Sequence, residues 1–149
     1  MRDRYEIFTR VILNISKNIQ KIKNREMEKF GLKGKQVQCF FLLYRNPEGL
    51  EFKELCALSG TDKAAVSRTV KELCALSYVY TEKNPYKKYK NPVRLTQKGM
   101  MTGDKIDGII EEAVNFVSGD ISEKDRENLY SMLNLIDENL NKYCKGKGE

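Results

Sequence analysis

Lys63, Ser67, Arg68 and Lys71 recur at intervals that place them on one face of a helix. Four such side chains form a cationic surface with one hydroxyl on it. The chemistry that suits it is recognition of the acidic backbone of duplex DNA rather than bond making or breaking. The chain has no histidine, which removes Ser-His-Asp and Cys-His catalysis, histidine metal ligands and the usual neutral-pH proton carrier. Its four cysteines, Cys39, Cys56, Cys74 and Cys144, form no C-x-x-C pair, and there is no glycine-rich phosphate loop. Neither a metal nor a cofactor is expected, and an enzyme is the least favoured reading.

The cationic face needs a frame to present it. The stretch from Leu55 to Arg68 reads as a short helix, a turn punctuated by Gly60 and a second helix. Cys56 fills the small-residue position where the two helices approach, and Val66 anchors the second helix in the core. Phe52 to Ser59 forms the first helix, with Gly60 just past its end. Thr61 or Asp62 caps the second, which runs to about Leu76 with Val66, Val70 and Leu73 as its apolar face. Tyr78–Thr81 and Pro92–Leu95 then read as the two strands of a ribbon around a loop at Asn84-Pro85.

Other elements flank this module. Gln36 to Arg45 is a helix stopped by Asn46-Pro47-Glu48-Gly49. From Tyr5 to about Lys29, Phe8, Ile12, Ile15, Ile19 and Ile22 follow a heptad seam. Leu129, Leu133, Ile136, Leu140 and Tyr143 follow another, behind a cap at Ser122 and Asp125. Thr96 caps a helix from Gln97 to about Phe116, in which Gly99, Gly103 and Gly108 predict a bend or close packing. Two narrow apolar seams exceed what the small central module can cover, which favours a homodimer. The predicted class is mainly α with a small two-stranded β-wing: a winged helix-turn-helix with extra terminal helices. One domain spans 1–149, with dimerisation helices at 1–30 and 97–144, the winged module at 35–96 and a disordered tail at 145–149.

The net charge of +6 is unevenly spread. Residues 61–98 hold 9 Lys/Arg against 3 Asp/Glu, whereas residues 99–149 hold 6 against 11. Basic density therefore peaks on the second helix and just after it, and the acidic end confines positive potential to one side. No apolar run has membrane-spanning length and Met1-Arg2-Asp3-Arg4-Tyr5-Glu6 lacks a secretory leader's apolar core, so a cytoplasmic protein without a membrane partner is expected. Cys56 and Cys74, set among leucines, are expected in the core; Cys39 or Cys144 are the candidates for a redox thiol.

In its order of elements, and in Leu55-Cys56 with Gly60, Asp62-Lys63-Ala64-Ala65-Val66-Ser67-Arg68, Val79 and Leu95-Thr96-Gln97-Lys98-Gly99, the chain resembles the MarR/SlyA family of transcription regulators over nearly its whole length. The resemblance implies an obligate homodimer whose two recognition helices enter successive major grooves of a nearly palindromic operator. Ser67 and Arg68 would face the groove, Arg68 toward guanine, with Lys63 and Lys71 on phosphates. The family's wing carries a D-x-R arrangement, but here Lys87 and Tyr89 hold those places. The implied wing contacts are then Lys87, Lys88 and Lys90, suited to backbone neutralisation rather than base reading. The resemblance also implies a cleft for a small aromatic or lipophilic effector, drawing on Tyr5, Phe8, Ile12, Phe40, Phe41 and Tyr44. Two competing readings are a cysteine-based redox regulator and a winged-helix adaptor that binds protein and does not read DNA.

Overall fold

Heptad and amphipathic patterns become six helices and a two-stranded ribbon in the computed structural model, which describes residues 2–82 and 91–146, the side chains of Arg2, Asp3 and Tyr5 excepted. The order is α1 (Arg2–Glu28), α2 (Lys35–Tyr44), α3 (Phe52–Ser59), α4 (Lys63–Ala75), β1 (Val79–Thr81), β2 (Val93–Leu95), α5 (Gln97–Val117) and α6 (Glu123–Gly146). The last helix thus continues through Lys145 and Gly146, where a disordered tail was expected, and residues 147–149 lie outside the described set. Among the described residues no helix is long and apolar enough to cross a membrane.

The chain divides into two compact units, residues 1–110 and 111–149. In the first, α2, α3, α4 and the ribbon enclose a core of Val37, Phe40, Leu43, Leu55, Val66, Val70, Leu73, Tyr78, Val79 and Val93, closed by Met27 and Ile106. Phe40, with no exposed surface, stands edge-on to both Phe41 (5.5 Å) and Tyr78 (5.9 Å). Such pairs add to the area term an edge-to-face electrostatic gain. The ribbon is antiparallel, with Val79 opposite Leu95 and Thr81 opposite Val93. Leu50 adds a single bridge to Val93, through N–H···O bonds of 3.0 and 2.8 Å.

Glycines 99 and 103 allow close packing rather than a bend. A Cβ on Gly99 would lie 2.5 Å from the carbonyl oxygen of Tyr78, and one on Gly103 would enter the Tyr44 ring. Gly108 faces open space. The first turn of α5 is hooked to the turn after α4. The Thr96 hydroxyl donates to the Ser77 carbonyl (2.7 Å) and accepts from the Gly99 amide (3.1 Å). Lys98 donates to the Leu76 carbonyl (2.8 Å) and lies over the Tyr78 ring.

In the second unit, α6 starts at the expected cap, where the Asp125 amide donates to the Ser122 hydroxyl (3.2 Å) and that hydroxyl to the Asp125 carboxylate (2.6 Å). Arg126 reaches the Ser118 carbonyl and the Asn115 side chain, both at 3.3 Å. None of α6 is buried: Leu129, Tyr130, Leu135, Ile136, Leu140 and Tyr143 remain exposed. Helix α1 likewise keeps Phe8, Val11, Ile12 and Ile15 in water.

Candidate nucleic-acid interface

Helix α4 starts where its sequence ends the preceding turn. Gly60 takes the left-handed conformation (φ 64°) that closes α3 without a Cβ penalty. The Asp62 carboxylate then accepts the Ala65 amide at 2.8 Å. That bond above all holds the Asp62 carboxyl below its ordinary pKa, with the nearby charges of Lys35 and Arg68 acting the same way. Between Thr61 and Asp62, the aspartate is the cap. The preceding helix has its own capping box, in which the Glu51 amide donates to Glu54 (2.7 Å).

Burial fixes the rotation of α4 about its axis. Ala65, Val66, Thr69, Val70 and Leu73 face the core. At 100° per residue, Ala64 and Lys71 then form the outward crest. Lys63, Ser67 and Cys74 lie on one shoulder, Arg68 and Glu72 on the other. Lys63 accordingly lines a cavity of about 590 Å³ with Thr61, Asp62, Phe52, Lys53 and Asn91, where the chain returns from the ribbon loop. On the far side, Arg68 lines a cavity of about 400 Å³ with Lys33, Lys35, Gln36 and Glu72. Lys63, Ala64, Arg68 and Lys71 are exposed and Ser67 half-buried.

The four expected recognition residues are therefore brought to one surface, but they point in different directions. Ala64 at the crest was missed, because a small apolar residue carries no charge signal; its methyl suits contact with a thymine methyl. Lys33 and Lys35 were missed for a different reason: they belong to the turn before α2 and to its first residue, and reach this surface only through the fold. Lys87, Lys88 and Lys90 lie outside the described residues.

The expected effector residues separate into two sets. Phe40 and Phe41 belong to the core, and Phe41 stands edge-on to Tyr44 at 6.2 Å. Phe8 and Ile12 stand on the exposed stripe of α1, and the Tyr5 side chain is outside the described set. The Tyr44 hydroxyl donates to Asp104 (2.9 Å). Lys23 lies 4.5 Å from the centre of the Phe41 ring, and partial burial lowers its pKa. Burial, then the Asp104 bond, push the Tyr44 phenol up to about 12. An unfolded tyrosine ionises near pH ~10. The protonated form is thus favoured in the folded chain, and stability present below pH ~10 is lost as pH rises from there through about 12. Tyr44→Phe is expected to flatten this alkaline decline in urea midpoints measured from pH 9 to 12. A decline unchanged in Tyr44→Phe would assign it to other groups.

The cysteines correct one expectation and weaken another. Cys74 is exposed rather than in the core, since Leu73 takes the inward position and turns its neighbour outward. Cys56 is half-buried against the core. Cys39 is buried, and burial pushes its thiol up to about 12, which leaves almost no reactive thiolate at neutral pH. Cys144 is exposed on α6.

Residues 30–88 match the sequence model of the MarR family. The fold is that of solved MarR regulators. A mutant of MepR from a multidrug-resistant clinical isolate of S. aureus superposes with a TM-score of 0.75 at 17% identity, covering 89% of this chain and 96% of that one. A MarR transcriptional regulator from Methanosarcina mazei gives 0.74 at 21%, covering 93% and 99%. A transcriptional regulator from Thermotoga maritima gives 0.72 at 18%, covering 93% and 97%. No curated protein matches significantly by sequence.

Proposed function

We propose that this chain, a MarR-family protein by the sequence of residues 30–88 and by its winged-helix fold, is a homodimeric, sequence-specific regulator that binds double-stranded DNA in the cytoplasm. The observation that carries the reading is the outward side of α4. Exposed Lys63, Ala64 and Lys71, with half-buried Ser67 beside them, form the outer surface of a helix whose opposite side is locked into the core. A protein-binding adaptor has no need of positive charge there. Ser67 and Ala64 meet base edges in the major groove, while Lys63 and Lys71 contact phosphates. Lys87, Lys88 and Lys90 of the ribbon loop add backbone neutralisation.

Support for the dimer comes from each unit separately. The exposed apolar seams of α1 and α6 leave large aliphatic and aromatic groups in water. A second copy covers them, as heptad seams require. Two recognition helices related by a twofold axis then call for a nearly palindromic operator with half-sites about one helical turn (~34 Å) apart. Release by a small aromatic or lipophilic effector belongs to the same proposal.

Footprinting on the duplex upstream of the protein's own coding sequence, at several salt concentrations, tests it. The expected result is a protected near-palindrome whose occupancy falls steeply with salt. Absence of protection at every salt concentration would favour the adaptor.

A further inference from the structure

The cavity beside Arg68 is built from three separate segments. Gly31 and Lys33 come from the turn after α1, Lys35 and Gln36 from the start of α2, and Ala65, Arg68, Thr69 and Glu72 from α4. Gln36 fixes their relation. Its side-chain oxygen accepts the Lys33 amide at 3.0 Å, and its nitrogen donates to Glu72 at 2.7 Å. Glu72, the one acid in the lining, keeps its charge while accepting this bond, and the Asp62 carboxylate acts on Lys35 and Arg68 from nearby, but among the described residues no carboxylate lies within ion-pair distance of Lys33, Lys35 or Arg68. Three exposed cations surround an open cavity of about 400 Å³ and outnumber the two carboxylates, Glu72 and Asp62, that act on them. The surplus positive charge favours an anion brought among them.

We infer that Lys33, Lys35 and Arg68 form a cradle for a backbone phosphate of DNA, at the edge of the groove that α4 enters. The inference rests on the DNA-binding reading and changes the role of one residue within it. Arg68 sits on the shoulder of α4 turned toward Lys33 and Lys35, away from the Ala64–Lys71 crest. It grips the sugar-phosphate chain bidentately and leaves base choice to Ala64 and Ser67. The cavity has room for a phosphodiester group and its water. The turn before α2, absent from the sequence-based interface, becomes part of the protein–DNA contact.

The test measures binding to several duplexes, matched and mismatched, across a salt series. Each phosphate contact removed should lower the slope of log affinity against log salt by about 0.9. The Lys33→Gln, Lys35→Gln double variant is expected to lose roughly one to two units of slope, with affinity falling by a similar factor on every duplex. Arg68→Ala should likewise weaken all sequences alike. An unchanged slope in the double variant, or an Arg68→Ala loss confined to one base position, would overturn the cradle while leaving DNA binding intact. Inorganic phosphate displacing DNA at micromolar concentration and constant ionic strength would assign the cavity to a free anion and overturn it too. If the unaltered chain bound no duplex at all, the broader reading and this one would fall together. Unchanged circular dichroism and thermal midpoints in the variants confirm that the losses arise at the surface.

Discussion

Replacing Gly99 with alanine is expected to destabilise the first unit by about 1–3 kcal/mol, the usual range for forcing a methyl into packed structure. The upper end applies, because the obstacle is backbone. The new Cβ would sit 2.5 Å from the Tyr78 carbonyl and 3.1 Å from the Leu95 side chain. That carbonyl also accepts the Thr96 amide (2.9 Å), so it cannot turn away without breaking the joint between ribbon and helix. Gly108→Ala should act in the opposite sense. Nothing lies within 4 Å of its Cβ position, so alanine gains roughly 0.5–1 kcal/mol in helix propensity. Urea midpoints of the two variants decide the matter. Equal midpoints would show that the joint gives way easily and that the close contact does not constrain the fold.

Placing a carboxylate on the crest of α4 should abolish function with no such effect on folding. Ala64 is exposed and is not among the buried residues of α4, so Ala64→Glu is expected to leave the unit intact. In the proposed complex it would bring a negative charge against DNA phosphates and base edges, and like charges so juxtaposed cost several kcal/mol. Affinity should fall more than about a hundredfold, with thermal unfolding unchanged. Retention of near-normal affinity by Ala64→Glu would mean that DNA meets a different surface, and the assignment of α4 would be wrong.

Sequence patterns disclosed the helix-turn-helix because its signals are local. Asp62, Thr96 and Ser122 each satisfy a backbone amide three residues on, and Gly60 supplies the left-handed backbone that ends α3, so their types announce their roles. The inward faces of α2 and α4 follow from apolar spacing alone. What remained hidden depends on neighbours far along the chain. The Leu50–Val93 bridge joins segments on opposite sides of the helix-turn-helix. Periodicity identified an outer side of α4, but it could not assign Arg68 to the shoulder facing Lys35 and Lys63 to the other. That distinction depends on which elements flank the helix, and a shift of one residue turns it by 100°. Cys74 was misplaced for the same reason. The Glu51–Glu54 box was missed because glutamate is an uncommon cap.

The attachment of α5 to the turn after α4 has a mechanical consequence. Thr96, Lys98 and Gly99 grip Leu76, Ser77 and Tyr78 through a hydroxyl, an ammonium group and a bare backbone contact within one helical turn. Three successive attachments tie the start of α5 to the turn that ends α4, so a displacement of one is expected to carry the other with it. In the proposed regulator, an effector or a partner copy that shifted α5 would therefore be expected to re-aim α4 while leaving it folded.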